Sequence, residues 1–539
     1  MKSLVYVFLF SCYFGVSQTE DAWVYFKDKP SEASFLNNPI LMLSQRSIDR
    51  RVKQGIAIDS KDVPVESSYI NQITAASGIV VKAKSKWLNA LHIQGTESDI
   101  QALLSLNIVS LVEFCDTSLN KAQFKKRNKF LIEKTVENTS IDYGVTQNQV
   151  EMLQGDFLHE LGYTGKGLQI AVLDAGFKGV ESFAAFSKLH DNNMDNGEIL
   201  GGFDYLNRTN NFYVNTGSTH GLSVLSTIAG FLENQFVGTA PDAQFYLFVT
   251  ENPSSESTLE ESLWVEAAEK ADSLGVDIIN TSLGYTTFDD SSYNYTYADM
   301  NGATTFISRG ASVAGSKGML LVTSAGNEGN SSWKFISAPA DVASVLTVGA
   351  VDANEIIASF SSFGPTADMR VKPEVLAQGR NVYVINSLGN IALSNGTSFS
   401  SPIMAGMSAC LWEAFPNKTA EQIKQLIVSS GDLFQNPTDQ KGYGVPDFQS
   451  VYNSLSVSNT SSKKNKLFPN PVDSQFIIST ETPVVYDSIL IRNVLGKTIK
   501  VIVNHPSDQT IDISELTPNI YFVEFKLYGE KRLVKIVKK

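Results

Sequence analysis

The chain is 539 residues long with a net charge of -13 and an isoelectric point near 5.0. That length exceeds what one hydrophobic core fills, so several folding units are expected. Hydrophobic residues make up 43% and aromatics 10%, which excludes a disordered chain, and the acidic surplus excludes nucleic acid as the main partner.

Met1-Lys2-Ser3 is followed by an apolar run from Leu4 to Val16, too short to span a bilayer, and by the small residues Gly15-Val16-Ser17. This is the pattern of a cleaved export signal over residues 1–17. Cys12 leaves a lipoprotein reading open, although Phe10, Ser11, Tyr13 and Phe14 around it assign it to the apolar core of the signal. No later stretch is long and apolar enough for a transmembrane helix. Cys115 and Cys410 remain after the signal is lost, so no disulfide framework is expected and stability rests on core size. Cys410 reads as a small buried hydrophobe.

Residues 18–140 form a first unit. Ser77 to Ala83 and Ala90 to Gly95 read as strands, Glu97 to Leu106 as an amphipathic helix leading into a strand from Val109 to Phe114, and a basic stretch from Lys121 to Lys134 closes the unit. A small α+β domain is expected. Over residues 141–455 the pattern changes to short apolar runs bounded by Gly, Asp or Asn: Leu168 to Leu173, Phe245 to Val249, Asp277 to Leu283, Met319 to Ser324 and Val345 to Val351. Such runs suit a parallel sheet covered on both faces, and helix-spaced segments at Ser223 to Leu232 and Leu259 to Leu274 supply covers. A three-layer α/β fold with a mostly parallel sheet follows. Residues 456–466, rich in Ser, Asn and Lys, read as a linker, and 467–539 as a small β-sandwich.

Gly396-Thr397-Ser398-Phe399-Ser400-Ser401-Pro402 places a serine at a helix start, with the proline in the first helical turns. Ser and Thr cap helices for structural reasons too, so partners must decide the role of Ser398. A nucleophilic serine needs a base, and five histidines are available. His92 and His505 fall outside the central domain. His159 sits in an amphipathic helix with a surface or interhelical role, and His190 in a polar loop. His220 follows Gly217-Ser218-Thr219 and opens a helix from Leu222 to Phe231. Asp174 ends the run before Ala175-Gly176, at the strand end where α/β sites form, although an aspartate there also caps helices. Thr323-Ser324-Ala325-Gly326-Asn327 ends another run in a turn presenting an amide, a routine turn when taken alone.

Asp174 in Ala-Val-Leu-Asp-Ala-Gly, His220-Gly221, Asn327 in Ala-Gly-Asn and Ser398 in Gly-Thr-Ser, in that order, resemble the motifs of the subtilisin-like serine proteases. The resemblance covers roughly residues 146–455. It implies that Ser398 attacks a peptide carbonyl, His220 shuttles the proton, Asp174 orients His220, and Asn327 and the Ser398 N–H bind the oxyanion. It further implies that Ser282, Leu283 and Gly284, with Ser324, Ala325 and Gly326, pair with extended protein or peptide substrate. Leu222, Phe399 and Ser400 depart from the family's usual residues, and the chain runs long between Tyr285 and Gly318, which leaves specificity open. A catalytically inactive binding protein on the same fold is the alternative.

The leading unit is similar to subtilase propeptides, which implies a transient inhibitor and folding aid removed by a cut near Asn138 to Tyr143. Leu467-Phe468-Pro469-Asn470-Pro471, Asn493-Val494-Leu495-Gly496-Lys497, Asp512-Ile513-Ser514-Glu515-Leu516 and Pro518-Asn519-Ile520-Tyr521-Phe522-Val523 resemble the C-terminal sorting domains of type IX secretion cargo. That implies the type IX machinery as a partner and a secreted or surface-attached product. No cofactor is required by this reading. Calcium is common in the family, and Asp191-Asn192-Asn193-Met194-Asp195-Asn196 supplies oxygen ligands, but the segment reads better as a plain Asn-rich turn and no metal is assigned.

Overall fold

Strand alternation explains how the leading unit is built. In Thr19–Phe26, Ala22, Val24 and Phe26 point one way into a core with Ile73, Leu91, Ile93 and Ile100, while Trp23 and Tyr25 point the other way. The strand is the third of four in an antiparallel sheet ordered Val80–Ser85, Ala90–Thr96, Thr19–Phe26, Val109–Phe114. The first of these strands starts and ends later than the run from Ser77 to Ala83 suggested. The computed structural model describes residues 19–120, 142–191, 197–460, 466–479, 484–494, 497–527 and 530–539. The signal segment, the expected processing position before Asp142 and residues 192–196 of the oxygen-rich loop lie outside them.

The second face of this sheet is covered by the next domain. Trp23 stacks on Phe306 with ring centroids 4.5 Å apart and donates its Nε1–H to Ser262 Oγ at 2.9 Å. Glu269 accepts from Ser85 Oγ at 2.7 Å and from the backbone N–H groups of Lys86 and Trp87 at 3.0 and 2.9 Å. A helix not singled out in the sequence, Gln45–Gln54, is capped by Ser44 and closed by Gly55 in the left-handed conformation. Its Arg51 is fully buried and bridges Asp62 of its own unit, at 2.9 and 3.0 Å, and Asp272 of the next, at 2.7 and 2.8 Å. Lys317 reaches Asp62 and Asp59 from the far side at 3.0 and 2.9 Å.

Seven parallel strands form the central sheet, in the order Val375–Gln378, Val345–Val351, Leu320–Ser324, Ile278–Thr281, Gln169–Asp174, Gln244–Val249, Glu198–Asp204. Ala171 and Leu173 face the helices Thr258–Leu274 and Phe306–Ser316, and alternation turns Ile170 and Val172 to the opposite face. There His220–Ala229 and Thr397–Ala414 pack on each other and on the sheet. Thr258–Leu274 starts at a Ser257/Glu260 capping box and stops at Gly275. The helix after His220 ends earlier than its apolar pattern suggested. Gly230 stops it at Ala229, and Phe231–Leu232 pairs instead with Phe236–Val237.

His159 is buried rather than at the surface: Tyr143 OH donates to its Nδ1 at 2.8 Å, and its Nε2 donates to Thr239 O at 3.0 Å. Burial pushes its imidazolium down to about 4, so it is a neutral structural group. Cys410 lies against it as a buried free thiol. Among the described residues no helix is long and apolar enough to cross a membrane.

The segment read as a linker is helical over its first part, because the helix Phe448–Thr460 continues through residues 456–460. The tail is described by itself. It stacks a three-stranded antiparallel sheet, Lys466–Phe468, Gln475–Ser479 and Thr510–Asp512, against a four-stranded one, Thr498–Pro506, Val485–Asn493, Asn519–Leu527 and Glu530–Lys538. Phe476, Ile478, Ile489, Val523, Phe525 and Ile536 fill the space between them. Asn470 fastens the Pro-Asn-Pro entry by accepting from Val537 N and donating to Lys535 O, both at 2.9 Å.

Buried charges are stable only in company. Burial by itself would raise the Asp62 carboxyl, but the Arg51 hydrogen bonds and charge outweigh it and hold it at about 2. A carboxyl held below its unfolded value adds stability that is lost as pH falls from about 4 toward 2. Arg51→Ala should therefore destabilise the unprocessed chain by ~3 to 5 kcal/mol, the cost of leaving Asp62 and Asp272 unpaired. The urea midpoint at pH 7 measures it, and a loss below about 1 kcal/mol would contradict this account.

Candidate active site

Asp174 is the last residue of its strand and is fully buried. Its Oδ1 accepts from Ala175 N at 2.7 Å and from His220 Nδ1 at 2.7 Å, while Oδ2 has no hydrogen-bond partner. His220 begins its helix, and its backbone N–H donates to Ser218 Oγ at 3.1 Å. Gly221 is required by the same packing, since a Cβ there would lie 2.9 Å from Asp174 Cβ and 2.7 Å from the Phe177 ring. Donation from Nδ1 leaves Nε2 as the free acceptor of the ring. Burial pushes the imidazolium down, but the charge and hydrogen bond of Asp174 outweigh it, so His220 titrates above its ordinary value. The Phe399 ring stands 5.9 Å from the imidazole, centroid to centroid, so the residue after Ser398 packs beside the base.

Ser398 is the second residue of Thr397–Ala414, entered through Gly396 at φ 149°, a backbone region that favours glycine. Pro402 lies beyond the first turn and removes the N–H that Ser398 O would otherwise receive. Ser282 Oγ replaces it, donating to Ser398 O at 2.8 Å. Ser282 Oγ is itself held by Asn280 Nδ2 at 3.1 Å, and Asn280 Oδ1 accepts from Ser401 Oγ at 2.9 Å. Ser398 Oγ donates to Ser282 O at 3.2 Å rather than to His220. Ser282 was expected as a backbone contact for substrate; its side chain, with Asn280 and Ser401, adds a buried relay that no motif announced.

Asn327 is exposed, just after Gly326 at φ 105°. Its Oδ1 accepts from Thr397 N at 2.9 Å and Thr397 Oγ1 at 3.0 Å, and Thr397 Oγ1 accepts from Gly326 N at 3.2 Å. With Oδ1 committed, Nδ2 is the end of the amide left to donate outward. Thr397 belonged to the Gly-Thr-Ser motif, but its task of orienting Asn327 was not legible from it.

The ladder between Ile278–Thr281 and Leu320–Ser324 stops at the pair Thr281 and Thr323. Ser282–Gly284 and Ser324–Gly326 continue past it. Tyr285 turns away to pair with Ala338, and Ala325 N donates to Val348 O at 3.0 Å on the side away from Ser282. Gly326 O is occupied by Ser362 N at 3.0 Å and Ser282 O by Ser398 Oγ at 3.2 Å. Among the described residues no cluster of His, Cys, Asp and Glu is arranged to hold a metal.

A three-layer parallel sheet with an Asp–His pair at the strand ends and a serine at a facing helix start defines a hydrolase. Residues 165–447 match the subtilase family of peptidases, Peptidase S8, and the chain belongs to that family of serine endopeptidases. Residues 21–130 match the Bacteroidota Peptidase S8 propeptide domain, and 466–539 match the secretion system C-terminal sorting domain, which marks a secreted or cell-surface protein. Subtilisin DY of Bacillus licheniformis is 29% identical over 302 residues, 55% of this chain and 94% of its own length. Subtilisin E of Bacillus subtilis (strain 168) is 29% identical over 300 residues, 55% of this chain and 68% of its own. Serine protease AprX of the same strain is 25% identical over 391 residues, 68% of this chain and 78% of its own.

With Asp174 raising and burial lowering the His220 titration, Asp174→Asn should move its midpoint from above about 6.5 to below it. Histidine Cε1–Hε1 resonances followed by NMR across pH check this. An unchanged midpoint would show that Asp174 does not govern the imidazole.

Proposed function

We propose that the chain is a secreted endopeptidase in which Ser398 is the nucleophile, His220 the base, Asp174 its orienting carboxylate and Asn327 an oxyanion donor. The observation that carries this reading is the 2.7 Å bond from His220 Nδ1 to buried Asp174, with Phe399 of the Ser398 helix start packed beside the same imidazole. A peptide lies extended between Ser282-Leu283-Gly284 and Ser324-Ala325-Gly326, where the ladder has stopped. Rotation about χ1 takes Ser398 Oγ from Ser282 O to His220 Nε2. Oγ then attacks the carbonyl carbon as its proton passes to Nε2, and Asp174 stabilises the imidazolium. The tetrahedral oxyanion accepts from Ser398 N–H and Asn327 Nδ2. Collapse breaks the C–N bond, His220 gives its proton to the leaving amine, and water repeats the sequence to free the acid. Every group in this scheme comes from the chain, so no cofactor enters it, and calcium stays unassigned.

The leading unit acts as the protease's own transient inhibitor and folding partner, in keeping with the area that Trp23, Arg51 and Glu269 join. The cut that removes it leaves Tyr143 in place, because Tyr143 is fully buried and bonded to His159. The tail engages the type IX secretion machinery.

Purified enzyme should hydrolyse casein and take a fluorophosphonate label at Ser398, while Ser398→Ala does neither; equal hydrolysis by both would sink the reading. Asn327→Ala should lower kcat by ~10² to 10³, a magnitude measured on the equivalent amide of a subtilisin. A chain ending at Ser462 should be retained in the cell envelope, and unchanged export would contradict the role given to the tail.

A further inference from the structure

Beside His220 the cleft deepens into a cavity of about 530 Å³ whose wall also includes Ser282 and Leu283. Small and polar residues such as Ser218, Asn252 and Ser254 form part of the rest; its charged groups are Glu251, Glu256, Glu260 and Asp289, and among the described residues no lysine or arginine lines it. Acidic clusters on a surface are usually just solvated. Three features separate this one from that case.

The first is Glu251. It follows Thr250 at the end of the strand Gln244–Val249 and is only 7% exposed. Its Oε1 accepts from Tyr285 OH at 2.6 Å and Thr250 Oγ1 at 2.9 Å, while Oε2 has no hydrogen-bond partner among the described residues. The residue is nearly all buried, so its charge is poorly solvated and a cation arriving at this accessible oxygen would be held strongly. Burial, followed by the neighbouring Glu260, pushes the Glu251 carboxyl well above the usual range, as expected where no cation is in reach.

The second is that the rim is fixed. Glu260 is committed to the backbone, accepting from Asn252 N and Ser257 N at 2.7 Å each. Asp289 N donates to Glu256 O at 2.9 Å, and Glu256 N donates to Asp289 Oδ2 at 3.2 Å. That reciprocal pair ties the segment before the helix Thr258–Leu274 to the long loop after Tyr285. The extra loop, which could not be interpreted from sequence, thereby delivers Asp289 to the cavity. The third is position: a cavity walled by both His220 and Ser282 opens onto the path of the peptide next to the reacting carbonyl.

We propose that this cavity is a specificity site that takes the lysine or arginine side chain of a substrate residue close to the scissile bond. The aliphatic stem lies along Leu283, and the cationic head meets Glu251 Oε2 with Glu256 and Asp289 at the mouth. The inference rests on the protease reading above and deepens it by naming the substrate class.

The test uses enzyme purified from the medium of cells expressing the full chain, and fluorogenic peptides carrying arginine, lysine, citrulline or norleucine singly at each position before the cut. Citrulline keeps the shape of arginine and removes its charge. At one position arginine or lysine should exceed citrulline and norleucine in kcat/KM by roughly tenfold or more, and Glu256→Gln, Asp289→Asn and Glu251→Gln should each shrink that ratio. Fluorophosphonate labelling of each variant reports that its site is assembled. Peptides cut equally well with arginine and citrulline at every position would overturn this inference and leave the protease reading standing. A cationic preference that survives all three substitutions in labelled enzyme would overturn the assignment to this cavity. Failure to cut any peptide, with no labelling, would overturn the protease reading and this inference with it.

Discussion

The parallel register of three central strands is the constraint on which the site depends. Leu173 pairs with Thr281, and Thr281 with Thr323, so the two ladders that flank the middle strand end at the same level. The next residues, Asp174, Ser282 and Ser324, emerge abreast at the carboxyl edge of the sheet. Shifting one strand by a residue would turn its buried side chains to the opposite face, so the apolar packing of Ala171, Ile279 and Leu321 enforces the alignment that the chemistry needs. The hydrophobic core and the site are therefore two consequences of one register.

The helix Thr397–Ala414 must then present its first turn to that edge, and it does so through missing bonds. Pro402 withholds an N–H from Ser398 O, and the opening residues of any helix have unpaired N–H groups. Ser282 answers the first vacancy, and Asn327 Oδ1 accepts from Thr397 N at the second. Each answer ties the helix to one of the strand extensions, Ser282 to one and Asn327 to the other. A helix without the proline would satisfy itself and hold the cleft less firmly.

Asp174, His220, Asn327 and Ser398 were legible because each stands in a local pattern: a strand ending in Asp, a Gly or Thr before a helix, a Gly–Asn turn. The five apolar runs were legible because parallel strands buried on both faces are nearly continuous in hydrophobic residues. The relay of Asn280, Ser282 and Ser401 was not, since Ser401 is far from the other two in sequence and common polar residues acquire such roles only when packing brings them together. Nor was the helix Gln45–Gln54, whose arginines look solvated on their own. Arg51 is buried because Asp62 and, far along the chain, Asp272 both come to meet it. The same limit hid the acidic cavity, for Asp289 is brought to it by one backbone bond to Glu256 O and one from Glu256 N to its own carboxylate.

One helix, Thr258–Leu274, connects these features. Its first turn supplies Glu260 to the cavity rim, its second turn supplies Ser262 to Trp23 and His92 of the leading unit, and its last turns supply Glu269 and Asp272 to Ser85, Arg50 and Arg51. A helix that buries acids along its length is unfavourable by itself: burial pushes Glu261 and Glu269 up to about 7 despite their hydrogen bonds. The leading unit relieves part of that cost by bringing donors and cations to the last turns. Among the described residues it brings no side chain to Glu251, in the cavity near the other end. The helix thus leans on the leading unit at its last turns and on its own Ser257/Glu260 capping box at its first, beside the cavity that His220 shares.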